Sequence, residues 1–274
     1  MRMTMRDFAK MKAEGRRIAM LTAYDYPSAL LAERAGIPAL LVGDSLGMAV
    51  LGHDTTLPVS VDDMVRHASA VMRGAKNAFV AADLPFLSYA TLEAGVDSAK
   101  RLMQEAGVQA VKVEGAGPVL DVVRRLTDLG VPVIGHLGYT PQSTHQIGVR
   151  VQGRDEAGAR QLIVDALALE AAGAGMIVLE LVPAELAAAT TQRLHIPTIG
   201  IGAGAGCDGQ VQVWHDVLGL YEEKPPRHAK PFANAGAVIE AGLRAYAEEV
   251  AAGSFPGPGQ SASMPAEQLA AALK

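Results

Sequence analysis

The chain has 274 residues, half of them apolar, a formal net charge of −5 and one cysteine, Cys207. That length and apolar content suffice for a single large core, while the acidic balance and scattered lysines and arginines leave no basic face for a nucleic-acid backbone. One cysteine excludes an internal disulfide framework and a Cys-built zinc site, as expected of a protein in the reducing cytoplasm. No membrane span is expected, because Asp165, Glu170 and Glu180 interrupt the most apolar region before about 18 uncharged residues accumulate.

The opening stretch, MRMTMRDFAKMKAEGRR, is mildly basic but carries Asp7 and Glu14 and leads into no signal-peptide core, so it reads as a first helix. Apolar runs of strand length then recur: IAMLTA (18–23), ALLVGD (39–44), FVAADL (79–84), AVKVEG (110–115), PVIGHL (132–137), GMIVLE (175–180) and TIGIGA (198–203). They are near-continuous rather than alternating, the pattern of parallel strands covered on both faces. Helical patterns separate them at 28–36, 91–107, 118–130, 155–173 and 183–194, several ending in Gly as helix C-caps do. Ser60 with Asp63 forms a capping-box pattern for the helix ahead of the third strand.

Seven βα units are plain, and VQVWHD (211–216) is a weaker eighth strand. Eight units close a single-domain (β/α)₈ TIM barrel, the expected fold, whereas fewer leave an open doubly wound sheet. The barrel domain is expected over 1–252, its last helix at about 235–252. A Gly/Ser/Pro-rich tail occupies 253–274, where MPAEQLAAALK can form a short helix with Pro265 in its first turn and Glu267 near its positive end. That helix suits packing or a subunit contact better than chemistry.

The residues at the strand ends carry the chemical information. Strand two ends in Asp44, three in Asp83, four in Glu114, five in His136 and six in Glu180. In a barrel of this class the C-terminal strand ends and their loops converge on one mouth. A lone strand-end Asp is as readily a helix N-cap, but four carboxylates around one mouth raise each other's pKa unless a cation or hydrogen bonds compensate. Hard oxygen donors without Cys or paired His spacing suit Mg²⁺, with Asp44 and Asp83 as its nearest ligands and Glu114 directly bound or one layer behind. Lys112 shares a strand face with Glu114. It reads either as a structural ion pair or as a positive charge beside an oxygen that becomes an enolate; His136 is equally an orienting group or a structural histidine.

GIGAGAG (200–206) lacks the following helix that a dinucleotide fingerprint requires. Phosphate binding and room for a bulky ligand at the mouth both remain open there, the latter favoured. The connections 43–59 and 140–158 are long enough to be lids. His53, His145 and His215 have no ligand spacing and read as surface or packing histidines.

The chain resembles the 3-methyl-2-oxobutanoate (ketopantoate) hydroxymethyltransferase family. The matching strings are TAYDY (22–26), LVGDSLGM (41–48), GHDTTLPV (52–59), ADLPF (82–86), VKVEG (111–115), GHLG (135–138), TPQS (140–143), VQGRDEAG (151–158), LALEAAGA (167–174), LELVP (179–183) and GIGAG (200–204). Each is weak alone, but the ordered set, spanning about 22–230, is specific to that family.

The resemblance implies a cytoplasmic, homodecameric, Mg²⁺-dependent barrel related to phosphoenolpyruvate mutase and isocitrate lyase. Its metal residues fall on Asp44, Asp83 and Glu114, its 2-oxo acid contacts on Asp44, Ser45, Asp83 and Lys112, and its base on Glu180. The implied reaction transfers a hydroxymethyl group from 5,10-methylenetetrahydrofolate to 3-methyl-2-oxobutanoate through an enolate, giving ketopantoate, the first step of pantothenate biosynthesis. Two rivals are a lyase or mutase acting on a 2-oxo acid without folate, and a noncatalytic metabolite-binding or scaffold barrel. Neither nucleic acid nor membrane is an expected partner.

Overall fold

The computed structural model describes residues 2–221 and 225–274. Helix α1 (Met5–Ala13) precedes strand β1 (Ile18–Thr22), followed by α2 (Tyr26–Arg34), β2 (Ala39–Val42), the single turn α3 (Leu46–Ala49), α4 (Val61–Gly74) and β3 (Phe79–Asp83). Next come α5 (Leu92–Arg101), extended by a π-helical turn at Leu102–Ala106, then β4 (Ala110–Glu114), α6 (Val119–Asp128) and β5 (Val133–Gly138). A 3₁₀ turn at Pro141–Ser143 runs into α7 (Thr144–Ile147), and the chain continues through α8 (Glu156–Ala171), β6 (Met176–Glu180), α9 (Ala184–Arg193), β7 (Thr198–Ile201) and β8 (Gly209–Gln212). Helices α10 (Trp214–Leu218), α11 (Ala235–Ala252) and α12 (Ala266–Ala272) end the chain.

The eight strands pair in chain order and all in parallel, and β8 closes on β1, so the barrel expected from the alternating pattern forms. The pattern at 60–63 is a true cap: Ser60 Oγ accepts the Asp63 N–H, and the Asp63 carboxylate accepts the Ser60 N–H.

The eighth strand lies earlier than its expected position at 211–216, pairing with β1 from Ile18↔Gly209 to Leu21↔Gln212. The Trp214 N–H then donates to Thr22 Oγ1 at 2.9 Å at the end of β1, which stops the ladder and turns the chain into α10. Strand two likewise stops at Val42, so Asp44 stands in the turn beyond it rather than on the strand.

Alternation along the strands separates two cores. Ile18, Met20, Ala39, Leu41, Phe79, Ala81, Ala110, Ile134, Met176, Val178, Ile199 and Val211 fill the barrel interior together with Phe8 and Met11 of α1. The Phe8 ring meets Phe79 edge-on at 5.3 Å, so α1 plugs the N-terminal end and leaves the opposite mouth for chemistry. Outward residues such as Leu40, Val80, Val111, Val133 and Ile177 are buried beneath the helix layer.

One seam of that layer is open. Ala19 on β1 and Gln210 on β8 point outward and are exposed. Helix α11, which follows β8, buries none of its residues, and Ile239, Leu243, Tyr246 and Val250 recur on one exposed face at helical spacing. Among the described residues, no helix is long and apolar enough to cross a membrane.

Candidate active site

The strand period decides which side chains reach the mouth. Asp83 is the last inward position of β3, Lys112 and Glu114 are consecutive inward positions of β4, and His136 and Glu180 follow on β5 and β6. Parallel register sets Asp83 beside Lys112 and Glu114 beside His136, so neighbouring strands present partners at matching heights. Asp44 joins them from the turn after β2, its backbone N–H donating to Asp83 Oδ2 at 3.0 Å. The structure therefore brings together all six ionisable residues singled out in the sequence.

Asp44, Asp83, Lys112, Glu114 and His136 are buried, which makes their pairing decisive. Lys112 Nζ lies 2.7 Å from Asp83 Oδ1 and 3.7 Å from Glu114 Oε1. Burial opposes its charge, but Asp83, Glu114 and Asp44 outweigh burial and raise its pKa, so the ammonium is held charged. His136 Nδ1 lies 3.1 Å from Glu114 Oε1 and its Nε2 3.3 Å from Glu180 Oε2. Burial and the Lys112 charge disfavour the imidazolium, yet the two carboxylates prevail and raise the His136 pKa to about 9.

Burial likewise opposes ionisation of Glu114, and contacts with His136, Lys112 and the Gln142 N–H hold its carboxyl below the usual range. Asp44 is the opposite case. Burial, then the Asp83 and Glu114 charges, push it well above the ordinary carboxylate value, against a smaller relief from Lys112 and Gln142. Asp44 is thus the carboxyl whose ionisation the protein leaves least compensated.

That imbalance is what a hard divalent cation would relieve. Asp83 Oδ1 adds to it: the atom is buried and, apart from its ion pair with Lys112, has no hydrogen-bond partner. Asp44 and Asp83 fit as oxygen donors to such an ion. Both Glu114 oxygens already have protein partners, Oε1 in His136 and Oε2 in the Gln142 N–H at 3.0 Å. Among the described residues no three His, Cys, Asp or Glu side chains stand as a ready cage, so a cation would take two carboxylates and complete its shell with water or substrate oxygens, as Mg²⁺ habitually does.

Glu180 is the carboxylate left partly open, with 15% of its side chain exposed. Two backbone features hold it. Leu181, next in the chain, adopts a left-handed φ of 47°, uncommon for a residue with a side chain. Gly138, opposite Glu180 in the β5–β6 register, has a φ of 92°, and a Cβ there would collide with the Glu180 carbonyl. Ser45 is held from the far side, where its hydroxyl meets the buried Tyr24 hydroxyl at 2.9 Å.

Sequence patterning missed three residues of this site: Tyr24, Tyr89 and Gln142. Gln142 Nε2 donates to Asp44 Oδ2 at 2.8 Å and its Oε1 accepts from the Tyr89 hydroxyl at 2.6 Å. All three lie within or near strings that carry the family resemblance, and that proximity was the one available signal. His53 and His145 are exposed, and His215 stacks between Tyr24 and Tyr221, in keeping with surface and packing roles. The glycines of 200–206 do not open a ligand space: a Cβ at Gly204 or Gly206 would strike Ala184 or Ala188, so they let this loop lie directly on α9.

Comparison with known proteins agrees with this geometry. The sequence profile described as ketopantoate hydroxymethyltransferase matches residues 2–258. The chain is 65% identical to the 3-methyl-2-oxobutanoate hydroxymethyltransferase of Gluconacetobacter diazotrophicus, an alignment covering 100% of this chain and 99% of the relative. It is 59% identical to the enzyme of the same name from Chloroflexus aggregans, covering 100% and 98%.

Among solved structures, it resembles 2,3-dimethylmalate lyase, a member of the PEP mutase/isocitrate lyase superfamily, with a TM-score of 0.59, 18% identity and coverage of 98% and 94%. It also resembles phosphonopyruvate hydrolase in complex with oxalate and Mg²⁺, with a TM-score of 0.61, 13% identity and coverage of 96% and 93%. At such identities these two likenesses speak for the fold alone, while the full-length relatives and the profile speak for the family: the chain belongs to the ketopantoate hydroxymethyltransferases.

Proposed function

We propose that this chain transfers a hydroxymethyl group to 3-methyl-2-oxobutanoate from 5,10-methylenetetrahydrofolate and one water, giving ketopantoate and tetrahydrofolate, and that the mouth of its barrel is where this happens. The observation that carries the assignment to this site is the division of labour among its carboxylates: Asp44 and Asp83 are buried and crowded, Glu114 is neutralised by protein partners, and Glu180 is partly open.

Asp44 and Asp83 are the residues that would hold Mg²⁺, with Glu114 behind them orienting Lys112 and His136. When bound, the ion supplies Lewis acidity that polarises the 2-oxo group and acidifies the adjacent C3–H, an effect usually worth several kcal/mol. Ser45, steadied by Tyr24, donates to the substrate carboxylate. Glu180 takes the C3 proton, a role in which a placed base contributes roughly 10²- to 10⁴-fold. Lys112 sets its positive charge beside the oxygen on which negative charge develops, in a buried setting where such a charge is most effective. His136 sets its Nε2 3.3 Å from Glu180 Oε2 as a charge contact rather than a hydrogen bond. The C3 nucleophile bonds to the one-carbon unit as that unit's two bonds to the folate nitrogens break; one water supplies the hydroxyl oxygen, and the C3 proton and the water's second proton go to those nitrogens.

The functional assembly is a homo-oligomer, a homodecamer by family resemblance, in the cytoplasm. Helix α11 supports self-association, since its apolar face is exposed and the barrel seam at Ala19 and Gln210 is itself uncovered. The activity is tested by following 3-methyl-2-oxobutanoate by NMR in D₂O. Mg²⁺-dependent deuteration at C3 without folate, and ketopantoate formation only with methylenetetrahydrofolate, are the expected results. Cleavage or rearrangement of the 2-oxo acid without folate would replace this reading by a lyase or mutase.

A further inference from the structure

The 3₁₀ turn after β5 contributes a residue to which no strand-end pattern points. Gln142 is buried, and every polar atom of its side chain is engaged. Its Nε2 donates to Asp44 Oδ2 at 2.8 Å and to the Leu84 carbonyl at 2.9 Å, while Oε1 accepts from the Tyr89 hydroxyl at 2.6 Å. Its backbone N–H donates to Glu114 Oε2 at 3.0 Å.

The direction of this amide is fixed by donor and acceptor counting. The Tyr89 hydroxyl oxygen accepts the Glu114 backbone N–H at 3.2 Å, so the one phenolic proton goes to Gln142 Oε1. A flipped amide would turn its carbonyl toward two acceptors, Asp44 Oδ2 and the Leu84 carbonyl, and its NH₂ toward a hydroxyl already donating. Hydrogen bonds therefore run one way, from Glu114 N–H through Tyr89 and Gln142 to Asp44.

We propose that Gln142, locked by Tyr89, is a positioning residue for cation binding: it pins Asp44 Oδ2, leaves Oδ1 to serve as ligand, and ties the loop after β5 to the ends of β2 and β4. The inference rests on the reading of Asp44 and Asp83 as ligands of a divalent ion. Partners behind a metal ligand commonly change metal affinity by about 10- to 100-fold when removed.

Mn²⁺ binding to the full-length protein, read from the electron paramagnetic resonance of the free ion, tests it with Gln142→Met, Tyr89→Phe and the double variant. Thermal unfolding is measured alongside. Gln142→Met is expected to weaken Mn²⁺ binding by about tenfold or more, and Tyr89→Phe by a smaller factor. The double variant should bind no more weakly than Gln142→Met, because Tyr89 acts through Gln142. Unchanged affinity in Gln142→Met, or fully additive losses in the double variant, overturns the proposal. Should Gln142→Met fail to fold, Tyr89→Phe decides, and unchanged Mn²⁺ affinity there overturns it. A wild-type protein that transfers the one-carbon unit yet binds no Mn²⁺ would remove the metal reading and this inference together, whereas wild-type binding with an indifferent Gln142→Met removes this inference alone.

Discussion

His136 Nε2 stands 3.3 Å from Glu180 Oε2, at the point where the closed, charge-paired half of the site meets the open half. The other ring nitrogen meets Glu114, so the imidazole bridges two carboxylates of unequal exposure. Its folded pKa of about 9 exceeds the ordinary 6.5 because those carboxylates overcome burial and the Lys112 charge. A raised pKa stabilises the fold fully below the unfolded value, and the contribution fades as pH climbs through the folded one. In metal-free buffer, urea unfolding of wild type and His136→Asn should therefore differ by roughly 2–3 kcal/mol more near pH 6 than near pH 10. A gap that does not change with pH would mean that the His136 pKa is not raised by folding, and one that narrows toward pH 6 would mean that His136 is kept neutral in the folded protein.

Glu180 has a different exposure from its neighbours, and its substitution should affect a different step. Glu180→Gln keeps the shape and can still meet His136, but it cannot accept the C3 proton. Exchange of that proton with D₂O is expected to fall by about 10²- to 10⁴-fold while Mn²⁺ affinity changes little. Exchange at the wild-type rate would take Glu180 out of the proton-transfer role.

Lys112 is the buried cation among Asp44, Asp83 and Glu114. Removing one partner of a buried ion pair typically costs about 3–5 kcal/mol, because the remaining charge has nothing to offset it. Lys112→Met should lose about that much in metal-free denaturant unfolding, and added Mg²⁺ should restore part of the loss by supplying positive charge to Asp83 and Asp44. A Lys112→Met protein as stable as wild type without metal would show that the carboxylates are protonated, not ion-paired.

The parts legible in the sequence were those governed by short-range periodicity. Continuous apolar runs marked the strands, and because the C-terminal strand ends of a barrel converge, Asp83, Glu114, His136 and Glu180 could be placed at one mouth, the period of two adding Lys112 to the face of Glu114. Strand β8 was misplaced because it begins Gly209–Gln210, with Gln210 exposed, and so offers no apolar run. The partnership of Gln142 with Asp44 was not legible either: the two are 98 residues apart, and a turn glutamine carries no periodic signal for the carboxylate it meets. The glycine loop at 200–206 was misread because composition shows that side chains are missing, not which backbone needs the space.

The face of α11 gives a prediction of another kind, since its consequence lies between chains. Val238 and Leu243 are 72% and 63% exposed on a helix with no buried residue, and Ala19 of β1 and Gln210 of β8 are exposed on the outside of the barrel. A helix of this composition is stable in water chiefly when its apolar stripe is covered, and a second copy offers both a matching helix and a matching uncovered seam. Wild-type protein is expected to run as an oligomer in light scattering at micromolar concentration. Leu243→Glu, alone or with Tyr246→Glu, should lower that mass and make thermal unfolding depend less on protein concentration than in wild type, because association no longer adds to folding by mass action. The barrel mouth is assembled from residues far from this helix in sequence, so C3 proton exchange should persist in whatever fraction of the variant remains folded. An unaltered mass in both variants would show that α11 is not the surface through which the copies associate.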